Sequence, residues 1–96
     1  MTKYEIMFIV SATLEEKAIK DLAKDFEKTL KDNGAKVANV TDWGVRELAY
    51  EIKKQKTGHY FIYNIEANDS KAIDEFERLA LINEGMLRHM IIKEEI

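Results

Sequence analysis

The residues best suited to chemistry in this sequence are basic and aromatic side chains gathered near its middle. The stretch from Trp43 to Tyr63 carries four basic and two acidic residues, a local charge of +2, whereas the rest of the chain carries −5 and the whole chain −3. Lysine and arginine bind phosphate through their charge, and aromatic rings stack on nucleic acid bases. The pattern therefore indicates a binding surface. Its basic residues are Arg46, Lys53, Lys54 and Lys56, with His59 as a further source of charge.

No set of residues in the sequence forms a catalytic or metal-binding pattern. His59 and His89 are far apart, neither has a second histidine at ligand spacing, and the chain has no cysteine. No glycine-rich phosphate loop is present. Ser11-Ala12-Thr13-Leu14, after the first predicted strand, lacks the arginine of an acylphosphatase-like anion cradle. We therefore expect no enzymatic activity, no metal, no cofactor and no small-molecule substrate.

The tyrosines at positions 4, 50, 60 and 63 are candidates for base stacking, but the sequence favours a different mode of binding. Aromatic residues in amphipathic strands are more often part of a core. The Gly-Phe-Gly-Phe pattern of stacking RNA-binding sheets is not matched by residues 59–63, which read His-Tyr-Phe-Ile-Tyr. We therefore expect contacts to the phosphate backbone, made by Arg46, the lysines that follow it and Arg88.

Length and composition predict one domain spanning residues 1–96. A chain of 96 residues with 46% hydrophobic residues has enough apolar surface for one core. No apolar run approaches the roughly 20 residues that a membrane span needs, and the N-terminus does not resemble a signal peptide. We expect a cytoplasmic protein that does not bind membranes.

The first half of the chain predicts a strand, a helix and a long strand. Residues 4–10 alternate so that Tyr4, Ile6, Phe8 and Val10 share one face. Thr13 and Glu16 have the spacing of a capping box, an apolar stripe of helical period follows, and Asn33-Gly34 predicts the helix end. Residues 36–52 read as a strand that bends near residues 41–44. The change of parity between Val37 and Val40 predicts a bulge.

The second half predicts a turn, a strand, a helix and a last strand. Residues 53–58 are expected to form the turn and residues 59–66 the partner strand. The polar run Asn68-Asp69-Ser70 offers three N-caps for a helix that ends at residues 83–85, and residues 86–93 form the last strand. The order strand-helix-strand-strand-helix-strand predicts an α+β fold of the ferredoxin-like split βαβ kind. Its four-stranded antiparallel sheet carries both helices on one face, and its first and third strands are central.

Five segments occur in order along the chain. They are Tyr4-Glu5, residues 33–37 (Asn-Gly-Ala-Lys-Val), residues 44–54 beginning Gly-Val-Arg-Glu-Leu-Ala-Tyr, Gly58-His59-Tyr60, and Leu87-Arg88-His89-Met90. Together they resemble the family of bacterial small-subunit ribosomal protein number six, essentially over the whole chain at the family's spacing. Glu47 departs from it where many members carry a second basic residue, and Leu87 departs where some members have two consecutive arginines, so we expect His89 to supply part of that charge.

This resemblance implies a structural component of the small ribosomal subunit, with no catalytic role. It implies binding to the central domain of 16S ribosomal RNA together with small-subunit ribosomal protein number eighteen, with much of the uncovered sheet face and its second-strand edge as the protein interface. We assign RNA contacts to Lys3, Tyr4, Arg46, Lys53, Lys54, Lys56 and Arg88, and partner contacts to Leu48, Tyr50 and Tyr60. The alternative is a small-ligand-binding or self-associating regulatory module of the same fold.

Overall fold

The computed structural model describes residues 2–94, which form four strands and two helices in the predicted order. The sheet order is β2-β3-β1-β4, every neighbouring pair is antiparallel, and β1 and β3 are central. The ferredoxin-like architecture predicted from the sequence is confirmed. The elements are β1 (Thr2–Ser11), α1 (Glu16–Asp32), β2 (Lys36–Ile52), β3 (Gln55–Ala67), α2 (Lys71–Ile82) and β4 (Met86–Glu94).

The core lies between the two helices and one face of the sheet. Phe8 of β1 is fully buried, and its ring centre lies 5.2 Å from that of Phe61, 5.8 Å from that of Phe26 and 5.8 Å from that of Phe76. Each helix thus contributes one phenylalanine to the same cluster. The predicted inward set of β1 is confirmed, since Ile6, Phe8 and Val10 are buried and Tyr4 packs partly against them.

The start of α1 differs from the prediction, whereas its end agrees. The helix begins at Glu16 after Glu15, and no side chain caps it. The predicted capping box is wrong because Thr13 belongs to a turn after β1, where its hydroxyl lies 2.7 Å from Ser11 Oγ. At the other end Gly34 has a φ of 91°, and the Ala35 amide donates to the Leu30 carbonyl at 3.0 Å. This left-handed stop is the one that Asn33-Gly34 predicted.

Strand β2 has the predicted limits and irregularities. Its register against β3 shifts between Val37 and Asn39 and again between Asp42 and Gly44, which confirms the bulge and the bend. Gly44 has a φ of 76°, and its amide donates to Asp42 Oδ1 at 2.8 Å. The glycine is required here because side chains disfavour this backbone conformation.

The turn between β2 and β3 is shorter than predicted. It consists of Lys53 and Lys54, whose φ angles are 48° and 64°, and β3 already begins at Gln55. Two successive positive φ values are the signature of a two-residue type I′ hairpin. Gly58, expected in the turn, lies within β3, where a Cβ atom would overlap Ile9 Cγ2. Its small size serves close packing of the two strands, which the sequence pattern alone does not distinguish from a turn.

Candidate nucleic-acid interface

The site is built on the end of the β2–β3 hairpin, which extends past the end of β1. The β1–β3 ladder ends at Ser11 opposite Gly58, so the first residues of β3 lie beyond β1. Glu47 pairs with Thr57 and Ile52 with Gln55, which leaves residues 48–51 of β2 opposite the single residue Lys56. These extra residues leave the regular ladder and lie over the sheet face that carries no helix, called here the open face.

Two hydrogen bonds hold the hairpin end against the rest of the sheet. The Ser11 hydroxyl donates to Gln55 Oε1 at 2.7 Å, and Lys53 Nζ donates to the Met86 carbonyl at 3.1 Å. The second contact joins the hairpin tip to the start of β4. The hairpin end is therefore attached to both β1 and β4, and the residues between these contacts are held over the open face.

Between the hairpin and the open face lies an apolar groove of about 230 Å³. Ile9 on its floor is only 6% exposed, so the covering hairpin buries part of the face that the sequence predicted to carry no cover. The volume is below the roughly 300–1,000 Å³ of typical small-molecule pockets. The groove is lined by Met7, Ile9, Leu48, Ala49, Tyr50, Ile52, Tyr60, Arg88, His89 and Met90.

Two arginines stand beside aromatic rings at this end of the molecule. The guanidinium carbon of Arg88 lies 5.5 Å from the centre of the Tyr50 ring, and that of Arg46 lies 5.6 Å from the centre of the Trp43 ring. All four residues are exposed. Contact with a ring face restricts a guanidinium group while leaving its N–H groups able to donate. Because part of their side-chain freedom is already lost in the free protein, both arginines lose less conformational entropy when they contact a phosphate.

The structure brings together five of the seven residues assigned to RNA contact. Arg46 and Lys56 border the hairpin end, and Lys53 and Lys54 form its turn. Arg88 is on β4, where it pairs with Ile9 of β1. The three residues assigned to the partner interface, Leu48, Tyr50 and Tyr60, all line the groove. These five predicted RNA residues and the three predicted partner residues thus lie at the same end of the sheet.

Lys3 and Tyr4 do not join this cluster. Lys3 lies six residues from Ile9 along β1, which is about 20 Å at the rise of a strand. Its neighbours across the sheet are acidic, Glu66 on β3 and Glu94 on β4. Tyr4 points to the opposite face, half-buried against the core. The two assignments stay predictions, at a separate end of the sheet.

The two histidines occupy strand positions on the helix-covered side, opposite Val10 and Phe8 of β1. His59 is 8% exposed, stacks on Phe61 with ring centres 4.6 Å apart, and places Nε2 2.5 Å from Asp42 Oδ1. His89 approaches Phe76 edge-on. His59 therefore lies away from the exposed cations, because β-strand alternation directs its side chain to the helix-covered face. The expectation that His89 adds charge beside Arg88 stays a prediction, since His89 also contributes to the groove lining.

Several exposed apolar residues of this surface were missed in the sequence. Trp43 is 46% exposed, Met90 48% and Ile92 46%. Trp43 is the extra residue at the bulge between Asp42 and Gly44, a position that simple alternation does not assign to a face. In β4 both faces are partly apolar, so its sequence does not reveal which residues are covered. The period-two pattern of Arg88, Met90, Ile92 and Glu94 is the signal that could have identified the outward set.

Within residues 2–94 no three acidic or histidine side chains are placed to hold a metal ion. None of the described helices is both long and apolar enough to cross a bilayer.

Tyr63 is a buried polar residue whose pKa departs clearly from its ordinary value. Its hydroxyl donates to the Ala23 carbonyl at 2.6 Å. Burial raises the pKa of Tyr63 above its ordinary value, and the negative charges of Glu27 and Asp42 raise it further. This group holds α1 to the sheet and lies away from the groove.

Comparison with known proteins identifies the family. The sequence model of the family described as Ribosomal protein S6 matches residues 3–93. The crystal structure of 30S ribosomal protein S6 from Thermotoga maritima matches with a TM-score of 0.93 and 24% sequence identity, covering 97% of this chain and 87% of that one. The structural match establishes a shared fold. Because the family model matches nearly the whole sequence, the chain belongs to the ribosomal protein S6 family.

Proposed function

We propose that this chain is a structural, non-enzymatic component of the bacterial small ribosomal subunit, in the cytoplasm, and that it binds the central domain of 16S ribosomal RNA together with small-subunit ribosomal protein number eighteen. One observation carries the proposal beyond family membership. Five cations and an apolar groove lie side by side at the hairpin end of the open face. Such a surface suits a site where RNA and a second protein meet.

The cations support contact with the RNA backbone. Phosphate recognition requires charge at defined positions and no base-specific geometry. Arg46 and Arg88 are positioned by Trp43 and Tyr50, Lys53 and Lys54 form the exposed turn, and Lys56 lies just after it in β3. In contrast, α1 carries acidic and basic residues interspersed, with Glu16–Lys20 and Glu27–Lys31 as ion pairs. The hairpin end is therefore the better candidate for an RNA contact.

The groove supports the partner protein. Most of its residues are apolar and several are exposed, with Tyr50 at 58% and Met90 at 48%, so a second protein could remove substantial apolar surface from water. At the far end of the same face, Glu66 and Glu94 lie opposite Lys3 on either side of β1, and Glu5 follows two residues along β1. A basic partner would complement these carboxylates as well as the net charge of −3.

Substitution of single cations tests the RNA surface. We expect Arg88→Ala to weaken binding of the partner-bound chain to a central-domain RNA fragment by roughly tenfold, and to reduce the salt dependence of binding by about one charge. Lys24→Ala is the matched control, since Lys24 is exposed on α1 and should leave affinity unchanged. Equal effects of the two substitutions would contradict the placement of the RNA surface.

The same Arg88→Ala variant must remain folded for this result to count. Arg88 is exposed and its contact with Tyr50 is partly solvated. We therefore expect the free energy of unfolding of the variant to be lower than that of the unsubstituted chain by no more than about 1 kcal/mol. Urea unfolding provides the measurement. A larger loss, in parallel with the loss of affinity, would make Arg88 a structural residue.

A further inference from the structure

Strand β4 forms one edge of the sheet. It pairs with β1 on one side, and no strand within residues 2–94 pairs with its other side. An unpaired edge presents backbone donors and acceptors that a further strand can use. The only irregularity in its pairing with β1 lies between Ile9 and Val10, so residues 88–94 are regular and suitable for extension.

The side chains along this edge have a self-complementary order. On the open face, residues 88, 90, 92 and 94 are arginine, methionine, isoleucine and glutamate. Met90 and Ile92 are 48% and 46% exposed, respectively, and Arg88 and Glu94 are exposed at either side of them. Reversing the strand direction exchanges the arginine with the glutamate and the methionine with the isoleucine. The edge is thus complementary to an antiparallel copy of itself.

We propose that β4 pairs with β4 of a second copy of this chain, antiparallel, about a two-fold axis at Ile91. The pairing joins two four-stranded sheets into one sheet of eight strands. On the open face it places Arg88 opposite Glu94 and Met90 opposite Ile92, each twice by symmetry. On the helix-covered face Ile91 meets its own counterpart. Opposite charges and paired apolar residues across strands both stabilise such a ladder.

The side chains select this register over its neighbours. A two-fold axis perpendicular to the sheet keeps the open faces on the same side, so the axis must pass midway between two copies of the same residue. Centred on Met90, it would place Arg88 opposite Ile92. Centred on Ile92, it would place Met90 opposite Glu94. The register centred on Ile91 matches all four outward residues of the segment.

This association goes beyond the proposed function, and one consequence rests on that function. In the dimer Arg88 is engaged by Glu94 of the second copy, so it is withdrawn from RNA. Dimerisation and RNA binding would then compete, and the dimer would be a form of the free chain. Dimerisation is measured in the absence of RNA. A chain that does not dimerise can therefore be distinguished from a chain that does not bind RNA.

Charge reversal tests the pairing in the isolated chain. Sedimentation equilibrium of the 11.2 kDa chain at concentrations up to about 1 mM should show a monomer–dimer equilibrium, weak because the interface is small. Arg88→Glu and Glu94→Arg should each weaken dimerisation roughly tenfold or more, since each places like charges opposite one another twice. An equimolar mixture of the two variants should associate again, because both heterologous pairs are then attractive. Lys24→Glu, on α1, is the control and should dimerise like the unsubstituted chain.

Disulfide cross-linking tests the register, as the chain has no cysteine of its own. Residues directly opposite in an antiparallel pair have Cα atoms about 4.5–5.5 Å apart, within the range that a disulfide spans. Under mild oxidation, a mixture of Met90→Cys and Ile92→Cys chains should form the mixed dimer in preference to either homodimer. A monomeric unsubstituted chain at all concentrations, or a charge-variant mixture that fails to associate, would overturn the proposal. Preferential cross-linking of Met90→Cys to itself would overturn the register.

Discussion

The guanidinium carbon of Arg88 lies 5.5 Å from the centre of the Tyr50 ring, which joins β4 to the displaced segment of β2 across the open face. Tyr50 lies in the stretch opposite the single residue Lys56, where β2 leaves the regular ladder. The contact therefore links two elements that share no ladder of hydrogen bonds. It places a cation at the rim of the groove, at the boundary between the proposed RNA and partner surfaces.

Substitution of Tyr50 measures this contact. Tyr50→Ala should lower the free energy of unfolding by about 0.5–1 kcal/mol, since both groups are partly solvated. Tyr50→Phe keeps the ring face and serves as the control, with little expected change. Urea unfolding of both variants gives the comparison, and an equal loss in the two would assign the effect to the hydroxyl instead.

Gly58→Ala should destabilise the protein through a steric overlap. The added Cβ would occupy the space of Ile9 Cγ2, a methyl group close to the backbone of a buried strand. Overpacking of this kind costs about 1–3 kcal/mol. Thermal or urea unfolding of the variant measures the loss.

The Ile9→Ala background supplies the control, because that substitution removes the overlapping methyl group. Gly58→Ala should then cost much less than in the unsubstituted chain, and the difference is the interaction energy of the two positions. A cost that is the same in both backgrounds would show that the glycine is needed for its backbone and not for space.

From the burial of Tyr63 we expect the protein to lose stability at alkaline pH. Burial raises its pKa in the folded state, whereas in the unfolded chain it is about 10. The stabilisation is complete below about pH 10 and falls as the pH rises above it, because the unfolded state then releases a proton that the folded state retains. In Tyr63→Phe, unfolding at neutral pH should be easier by about 1 kcal/mol, through loss of the bond to the Ala23 carbonyl. Its stability should also decline less steeply above pH 10. Tyr50→Phe, which removes the hydroxyl of an exposed tyrosine, is the reference variant. If the stability of Tyr63→Phe and of the unsubstituted chain declined equally steeply above pH 10, this role of Tyr63 would be refuted.

Lys54→Gly should stabilise the hairpin. Lys54 has a φ of 64°, a conformation that costs a residue with a Cβ about 1 kcal/mol and costs glycine little. Lys54 is exposed, and Lys53 rather than Lys54 bonds the Met86 carbonyl. Lys56→Gly provides a contrast of equal charge change within β3, where glycine should destabilise. If Lys54→Gly left the midpoint of thermal unfolding unchanged or lowered it, the strain at this turn would be disproved.

The fold was predictable because its elements have regular periods. Alternation in β1 placed Ile6, Phe8 and Val10 in the core, and Asn33-Gly34 marked the end of α1. The prediction of a capping box is wrong because the Thr13 hydroxyl is hydrogen-bonded to the Ser11 hydroxyl, a contact that local spacing does not reveal. The turn was misplaced because Gly58 is the strongest turn signal in its segment, whereas lysines in left-handed conformation give no such signal.

The groove was predictable only in part. Leu48, Tyr50 and Tyr60 were assigned to a shared interface, and they line one groove. The displacement of residues 48–51 over the open face depends on pairing between Glu47 and Thr57 and between Ile52 and Gln55, which a single strand's pattern does not contain. The burial of His59 likewise depends on Asp42, a residue brought to it by the bend in β2.

The most direct test of the proposed function is the affinity of this chain for a central-domain fragment of 16S ribosomal RNA, measured with and without small-subunit ribosomal protein number eighteen over a series of salt concentrations. The chain alone, with its net charge of −3, should bind weakly. The two proteins together should bind tightly, with an affinity that falls steeply as salt rises. Binding by the chain alone that is as tight as binding by the pair, or no binding in either case, would contradict the proposed function.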